Sequence, residues 1–277
     1  MLDKNLVRDV LAAALSTGGS FAELFAEDHN RNSITIANSV VQRVQSGIDY
    51  GAGLRVFNGF NYVYAYTNDT SRENLLKVGK ETAAAVKKEA CTAIKKFHIL
   101  DFDKAHLYKI PFSASSKKRV VDLLKESNDA AIKYNALVKE AISSYTDSTQ
   151  NVLIANSEGL WAEDTRYRTR VLLMAVASRV NEKQTGVSRR GAHSGFEYYD
   201  NIDIPEIGRS AAETAVTMLN AELCPGGKMP VIVGNAFGGV IFHEACGHSL
   251  EASYITRGTS AFYGKLGKKS RMKKSRL

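Results

Sequence analysis

From residue 20 to residue 67 apolar side chains fall at every second position, and residues 144 to 196 again read as long strands. Alternation with period two marks a strand with one buried face, so two separate batches of strands are predicted rather than one. Ile34 and Ile36 alternate with polar neighbours, and Val40 to Gln45 and Leu54 to Phe57 continue the first batch. Asn58-Gly59 is a hairpin signal, and Tyr62, Tyr64 and Tyr66 after it share one face, expected to be half-buried. In the second batch Asn156 to Gly159 and Asn181 to Gly186 read as turns. There Arg166, Arg168 and Arg170 point to one face and Tyr167 and Thr169 to the other, and the arginine row is read as a solvated sheet face.

Helical stripes surround these batches. Leu6, Val7, Val10, Leu11, Ala14 and Leu15 form one, stopped by Gly18 and Gly19. A second helix is expected over roughly 71 to 90, capped from Asn68 to Ser71. Pro111 and Ser113, Ser115 and Ser116 make a junction before a long helix carrying Val120, Leu124, Tyr134, Leu137 and Val138. Pro205 opens another helix, through Leu223. Met229 to Val233 reads as a short buried strand, and Gly234, Gly238 and Gly239 as a turn after it. Strands that come in batches predict an α+β fold with antiparallel sheets and packed helices, not a doubly wound one. The expected organisation is an N-terminal α+β region over 1–227, in two lobes joined near 111–118, then the start of a second, β-rich domain over 228–277.

Composition narrows the function classes. No apolar run approaches the roughly 18 residues that cross a bilayer, and the acid-containing, amphipathic N-terminus does not read as a signal peptide. Cys91, Cys224 and Cys246 offer no C-x-x-C pair and no disulfide framework. A cytoplasmic protein is expected, with no membrane partner. The net charge of +8 is local: the last thirteen residues hold seven Lys or Arg and no acid, and the rest carries 30 basic against 29 acidic residues. Nucleic acid is therefore not an expected partner, although a basic tail of this kind can bind a polyanion.

The chemistry concentrates in HEACGH, residues 243 to 248. His243 and His248 are neutral nitrogen donors of the kind that zinc takes, and Glu244 is a carboxylate placed to accept and return a proton. The histidines are five apart rather than four. At about 100° per residue they would diverge by roughly 140° around an ideal helix, so a shared metal requires one residue to be absorbed in a π-type distortion. Gly247 makes that distortion cheap. Cys246 is expected to project elsewhere, as a small buried residue, and Glu251 is a weak candidate for a third ligand. His29, His98, His106 and His193 have no ligand-like spacing and are expected to be structural or exposed.

MPVIVGNAFGGVIFHEACGHSLEA resembles the central motif of the TldD/PmbA family of zinc metalloproteases, in the form that carries H-E-x-x-x-H. GAGLRVFNGFNYVYAYTND is similar to the family's N-terminal signature, and RTRVLLMAVASRVNEKQTG with GAHSGFE to its middle region. The resemblance implies a zinc-dependent peptidase acting on small or unfolded peptides, with His243 and His248 as metal ligands and Glu244 as the catalytic base. It also implies a dimer, either of one chain or with a PmbA (TldE)-like subunit. Family chains are longer, and their C-terminal domain supplies a cysteine as third ligand. A truncated or frameshifted chain, impaired as a peptidase, is thus expected, with Val231, Ile232, Val233, Val240, Ile241 and Phe242 left as an apolar patch. The alternatives are a non-catalytic dimerisation partner and a polyanion binder acting through the tail.

Overall fold

The computed structural model describes residues 2–59, 61–86, 93–100 and 108–268. Cys91, His106 and most of the basic tail lie outside them. The chain divides into two compact units, Met1–Ala221 and Glu222–Leu277.

The first unit is one long, twisted sheet with helices on a single face. Its strands are β1 (Phe21–Ala37), β2 (Val40–Asn58), β3 (Asn61–Thr67), β4 (His98–Ile99), β5 (Val138–Asn156), β6 (Leu160–Arg179) and β7 (Glu182–Ala192). They lie in the order β3-β2-β1-β5-β6-β4, and β7 also pairs with β6. Every pairing is antiparallel except the short one of β4 with β6. The antiparallel α+β expectation therefore holds for this unit.

Register explains where the core sits. Leu24 lies opposite Leu54 on β2 and Ala155 on β5, while Ile34 lies opposite Val44 and Tyr145. Ten residues apart on one strand, Leu24 and Ile34 share a face. Over the Leu24 end pack α1 (Lys4–Ala14) and α2 (Arg72–Val86), with Val7, Val10, Leu11 and Leu75 buried. Over the Ile34 end pack α3 (Lys117–Tyr134) and α4 (Ile204–Asn220), with Leu124, Ala131, Ile207 and Ala211 buried. Two helix pairs thus cover the two ends of one continuous sheet. Asp3, Ser116 and Asp203 cap α1, α3 and α4 with side-chain oxygens.

Several local expectations are corrected. α3 stops at Tyr134, because the Asn135 side chain accepts the Leu137 N–H at 2.9 Å, and Val138 instead begins β5. Glu182 is already in β7, so only Val180 and Asn181 form that turn. Gly186 is there for packing: a Cβ on it would lie 2.1 Å from the Ala211 carbonyl oxygen of α4. Gly208 does the same between helices, where a Cβ would meet the Ser127 carbonyl oxygen of α3 at 2.0 Å. Tyr62, Tyr64 and Tyr66 are exposed, not half-buried, with Tyr64 and Tyr66 stacked on each other. The arginine row is as expected: Tyr167 and Thr169 are buried on the helix side, and the arginines face the open side.

Glu197 ties the loop before α3 to the segment after β7. Its carboxylate accepts from the N–H groups of Ile110 at 2.8 Å and Lys109 at 3.1 Å, and from the Ser194 hydroxyl at 2.8 Å. Partial burial pushes its pKa up, but these donors outweigh that and hold it at about 2, below its ordinary 4.5.

The second unit holds α5 (Asn235–Phe242), a π-turn over His243–Gly247, a 3-10 turn over His248–Leu250 and α6 (Ala252–Thr256). Its described residues contain no strand. Met229 to Val233, expected as a buried strand, has no regular secondary structure and is exposed, with Ile232 fully so. An apolar run becomes a strand only where another strand satisfies its backbone groups, and none pairs with it among the described residues. Gly234 caps α5, and Gly238 and Gly239 lie inside that helix rather than in a turn.

The close approaches at the two packing glycines set their tolerance to a methyl group. Gly208→Ala and Gly186→Ala each lower unfolding free energy in urea by about 1–3 kcal/mol through overpacking. Gly226→Ala, with nothing within 4 Å of the added Cβ, changes it by less than about 0.5 kcal/mol. The stability gap between wild type and Glu197→Gln is full above about pH 4.5 and closes as pH falls toward 2, because a depressed carboxyl pKa favours folding only while the group is ionised.

Candidate metal centre

The extra residue of HEACGH is accommodated as the spacing requires. α5 runs into a π-turn, in which the His248 N–H donates to the His243 carbonyl, an i to i+5 bond. The wider turn returns His248 to the face of His243. Their rings lie 4.4 Å apart between centroids, inclined at 61°. Glu244 shares that face, with one carboxylate oxygen 3.7 Å from His248 Nε2. One donor atom each from His243, Glu244 and His248 lie within 4.8 Å of one another.

Two neighbours fix this arrangement. A Cβ on Gly247 would sit 2.8 Å from His243 Nδ1, so the glycine leaves room for the first ring, while its own backbone is ordinary right-handed helix that any residue adopts. Glu251 approaches His248 Nδ1 at 2.6 Å. That contact assigns the Nδ1 proton and leaves Nε2 as the free lone pair on the Glu244 side. The hydrogen bond to Glu251 raises the His248 pKa, partial desolvation lowers it, and the Glu244 charge raises it further. Glu251 therefore orients a histidine rather than completing the donor set. The sequence did carry its signal, since positions three apart on a helix are neighbours.

The two imidazoles suit a divalent metal of the zinc type, and the Glu244 carboxylate stands beside them on the same exposed face. Ligands about 2.0–2.1 Å from zinc stand about 3.3 Å apart in a tetrahedron, a separation that small side-chain rotations reach from 4.8 Å. Cys246 lies between the histidines yet outside the donor group, and it is an exposed free thiol, not the buried residue expected. His29 is buried on β1 and accepts from Arg31 through Nδ1, while His193 is exposed at the end of β7.

A hollow of about 790 Å³ lies elsewhere, on the open sheet face, lined by Arg31, Arg168, Arg170, His29 and His193 among others. No metal-ligand cluster lies in it. The Arg168 guanidinium there donates to His193 and Gln150.

The contact at Gly247 makes the geometry testable. Gly247→Ala pushes the His243 ring off the shared face and weakens zinc binding by about tenfold or more, as loss of ligand orientation does elsewhere. Titration with a zinc-competing chromophore measures it, and an unchanged far-ultraviolet spectrum shows that the fold is retained.

Three domain models of one family match in order along the chain: PmbA/TldA metallopeptidase domain 1 over residues 22–88, the central domain over 110–219 and the C-terminal domain over 226–273. A metalloprotease of Methanothermobacter thermautotrophicus is 31% identical over 252 residues, covering 90% of this chain and 54% of the relative. A metalloprotease TldD homolog of Buchnera aphidicola is 25% identical over 256 residues, covering 90% and 53%. The chain spans about half the length of the curated relatives it matches. Among solved structures, a proposed DNA gyrase modulator from Thermotoga maritima aligns with a TM-score of 0.74 at 22% identity, covering 96% of this chain and 59% of that one. TldE from Thermococcus kodakarensis aligns with a TM-score of 0.63 at 12% identity, covering 94% and 58%. These structures share the fold. The matched domains and the metalloprotease relatives lead to one conclusion: the chain belongs to the PmbA/TldD metallopeptidase family.

Proposed function

We propose that this chain carries the metal-binding helix of a zinc-dependent peptidase acting on small or unfolded peptides. The observation that supports it most is the π-turn, which brings His243, Glu244 and His248 to one face despite the five-residue spacing. In this reading His243 and His248 hold the zinc ion, and Glu251 fixes the His248 tautomer. When bound, zinc polarises the scissile carbonyl and acidifies a water molecule. Glu244 accepts the proton of the attacking water and returns it to the leaving amine. With two imidazoles in the cluster, a further ligand comes from outside it.

No helix of the described residues is long and apolar enough to cross a membrane. That fact and the free thiols of Cys224 and Cys246 accord with a cytoplasmic setting. The likeness of the fold to TldE supports assembly as a dimer, of this chain or with a PmbA (TldE)-like subunit. The catalytic role is favoured over a non-catalytic partner because base and ligands are present together. Val231, Ile232, Val233, Val240, Ile241 and Phe242 are all exposed and supply apolar surface for such contacts.

Metal analysis of the purified protein tests the reading. Wild type and Glu244→Gln retain zinc, whereas His248→Ala loses most of it. Glu244→Gln abolishes hydrolysis of an unstructured peptide, and Glu251→Gln weakens zinc affinity by about 10–100-fold. Equal zinc in wild type and His248→Ala excludes His248 as a ligand.

A further inference from the structure

β2 is paired along only part of one edge. It meets β1 from Val40 to Asn58, but β3 covers its other edge only from Ala52 to Asn58. Residues 40 to 51 therefore present a strand edge with no strand neighbour among the described residues. Every residue from 40 to 50 is exposed, on both faces of the sheet. Val41, Val44, Ile48 and Tyr50 are among them, with Ile48 64% accessible. A long apolar edge of this kind is normally blunted by lysine, proline or a covering element. VVQRVQSGIDY, residues 40 to 50, holds no lysine or proline, and its bulge, at Gln42 against Thr35 and Ile36, lies at the turn end of the edge.

We propose that this edge pairs with the same edge of a second copy, antiparallel, about a two-fold axis at Ser46. The register is a consequence of symmetry. Antiparallel neighbours that face the same side must have equal parity, so the axis passes through a residue and not between two. The open window runs from the Asn38-Ser39 turn to the end of β3 at Thr67, opposite Ala52. Its two central residues are Gln45 and Ser46.

Side chains choose between them. With the axis at Ser46, Arg43 stands opposite Asp49 and Val44 opposite Ile48, each pair occurring twice. With the axis at Gln45, Arg43 meets Gly47 and Val44 meets Ser46, which matches neither charge nor polarity. The Ser46 register uses the regular stretch from Arg43 to Asp49, leaving the Gln42 bulge outside it and stopping short of Ala52, where β3 takes over. Arg43 has no ion pair among the described residues, and the present partner of Asp49, Arg31 at 3.7 Å, lies across β1 and leaves the edge free. Pairing consumes the open edge of both copies, so the assembly closes as a dimer.

This edge supplies a surface for the subunit association of the peptidase reading. It is tested without zinc or peptidase activity, so either reading can fail alone. The test uses the full chain with Cys91, Cys224 and Cys246 replaced by serine. Residues on the axis have Cα atoms about 4.5–5.5 Å apart, within disulfide reach. Ser46→Cys then yields a covalent dimer on mild oxidation. Gln42→Cys, whose two copies lie about 27 Å apart along the strands, does not. In sedimentation velocity Ile48→Lys raises the dimer dissociation constant by about tenfold or more. Adding Val44→Glu, opposite it, restores most of the affinity.

Three results overturn the proposal. One is a monomer at all concentrations. Another is a dimer indifferent to Ile48→Lys, or cross-linked as readily through residue 42 as through residue 46. The third is a monomer whose capture of an unfolded peptide is weakened by Ile48→Lys, which assigns the edge to peptide instead.

Discussion

Strand β1 sets the architecture of the first unit. It is paired along nearly its whole length on both sides, with β2 and with β5. A slip of one residue would turn Leu24, Ile34 and Ile36 to the open face and place Glu23, Glu27 and Thr35 under the helices. The register is thus held by burial, and the placement of the helices depends on it. All four helices lie on one side, and the glycines at 186 and 208 let α4 approach β7 and α3 at backbone distance. The arginine row of β6 is left on the other side.

The second unit obeys a different constraint. There a single backbone distortion carries the chemistry. An ideal helix would separate the two histidines around its axis, and the i to i+5 bond from His248 to His243 removes that separation. Gly247 allows it by leaving space for the His243 ring. Glu251 then fixes the second ring. Three ordinary side chains, those of His243, Glu244 and His248, acquire a common direction through the shape of one turn.

Much of this was legible in the sequence where one physical rule acted alone. Period-two alternation located the strand batches, and the five-residue spacing required a π-turn. Reading failed where two rules competed. Leu137 and Val138 continue a helical stripe in phase, yet the Asn135 side chain offers the backbone another partner and ends the helix. Gly186 looks like a turn residue but is a packing residue, because only the fold shows which helix lies against it. Met229 to Val233 has the composition of a strand and no partner to make it one. Tyr62, Tyr64 and Tyr66 share a face as predicted, but periodicity cannot say whether anything covers that face.

The central claim is that His243 and His248 hold one metal ion together despite their spacing. X-ray absorption at the zinc edge tests it directly on the zinc-loaded protein. The account predicts two imidazole nitrogens at about 2.0–2.1 Å, falling to one in His243→Ala and in His248→Ala. Zinc bound with no imidazole, or a spectrum unchanged by either substitution, would contradict it.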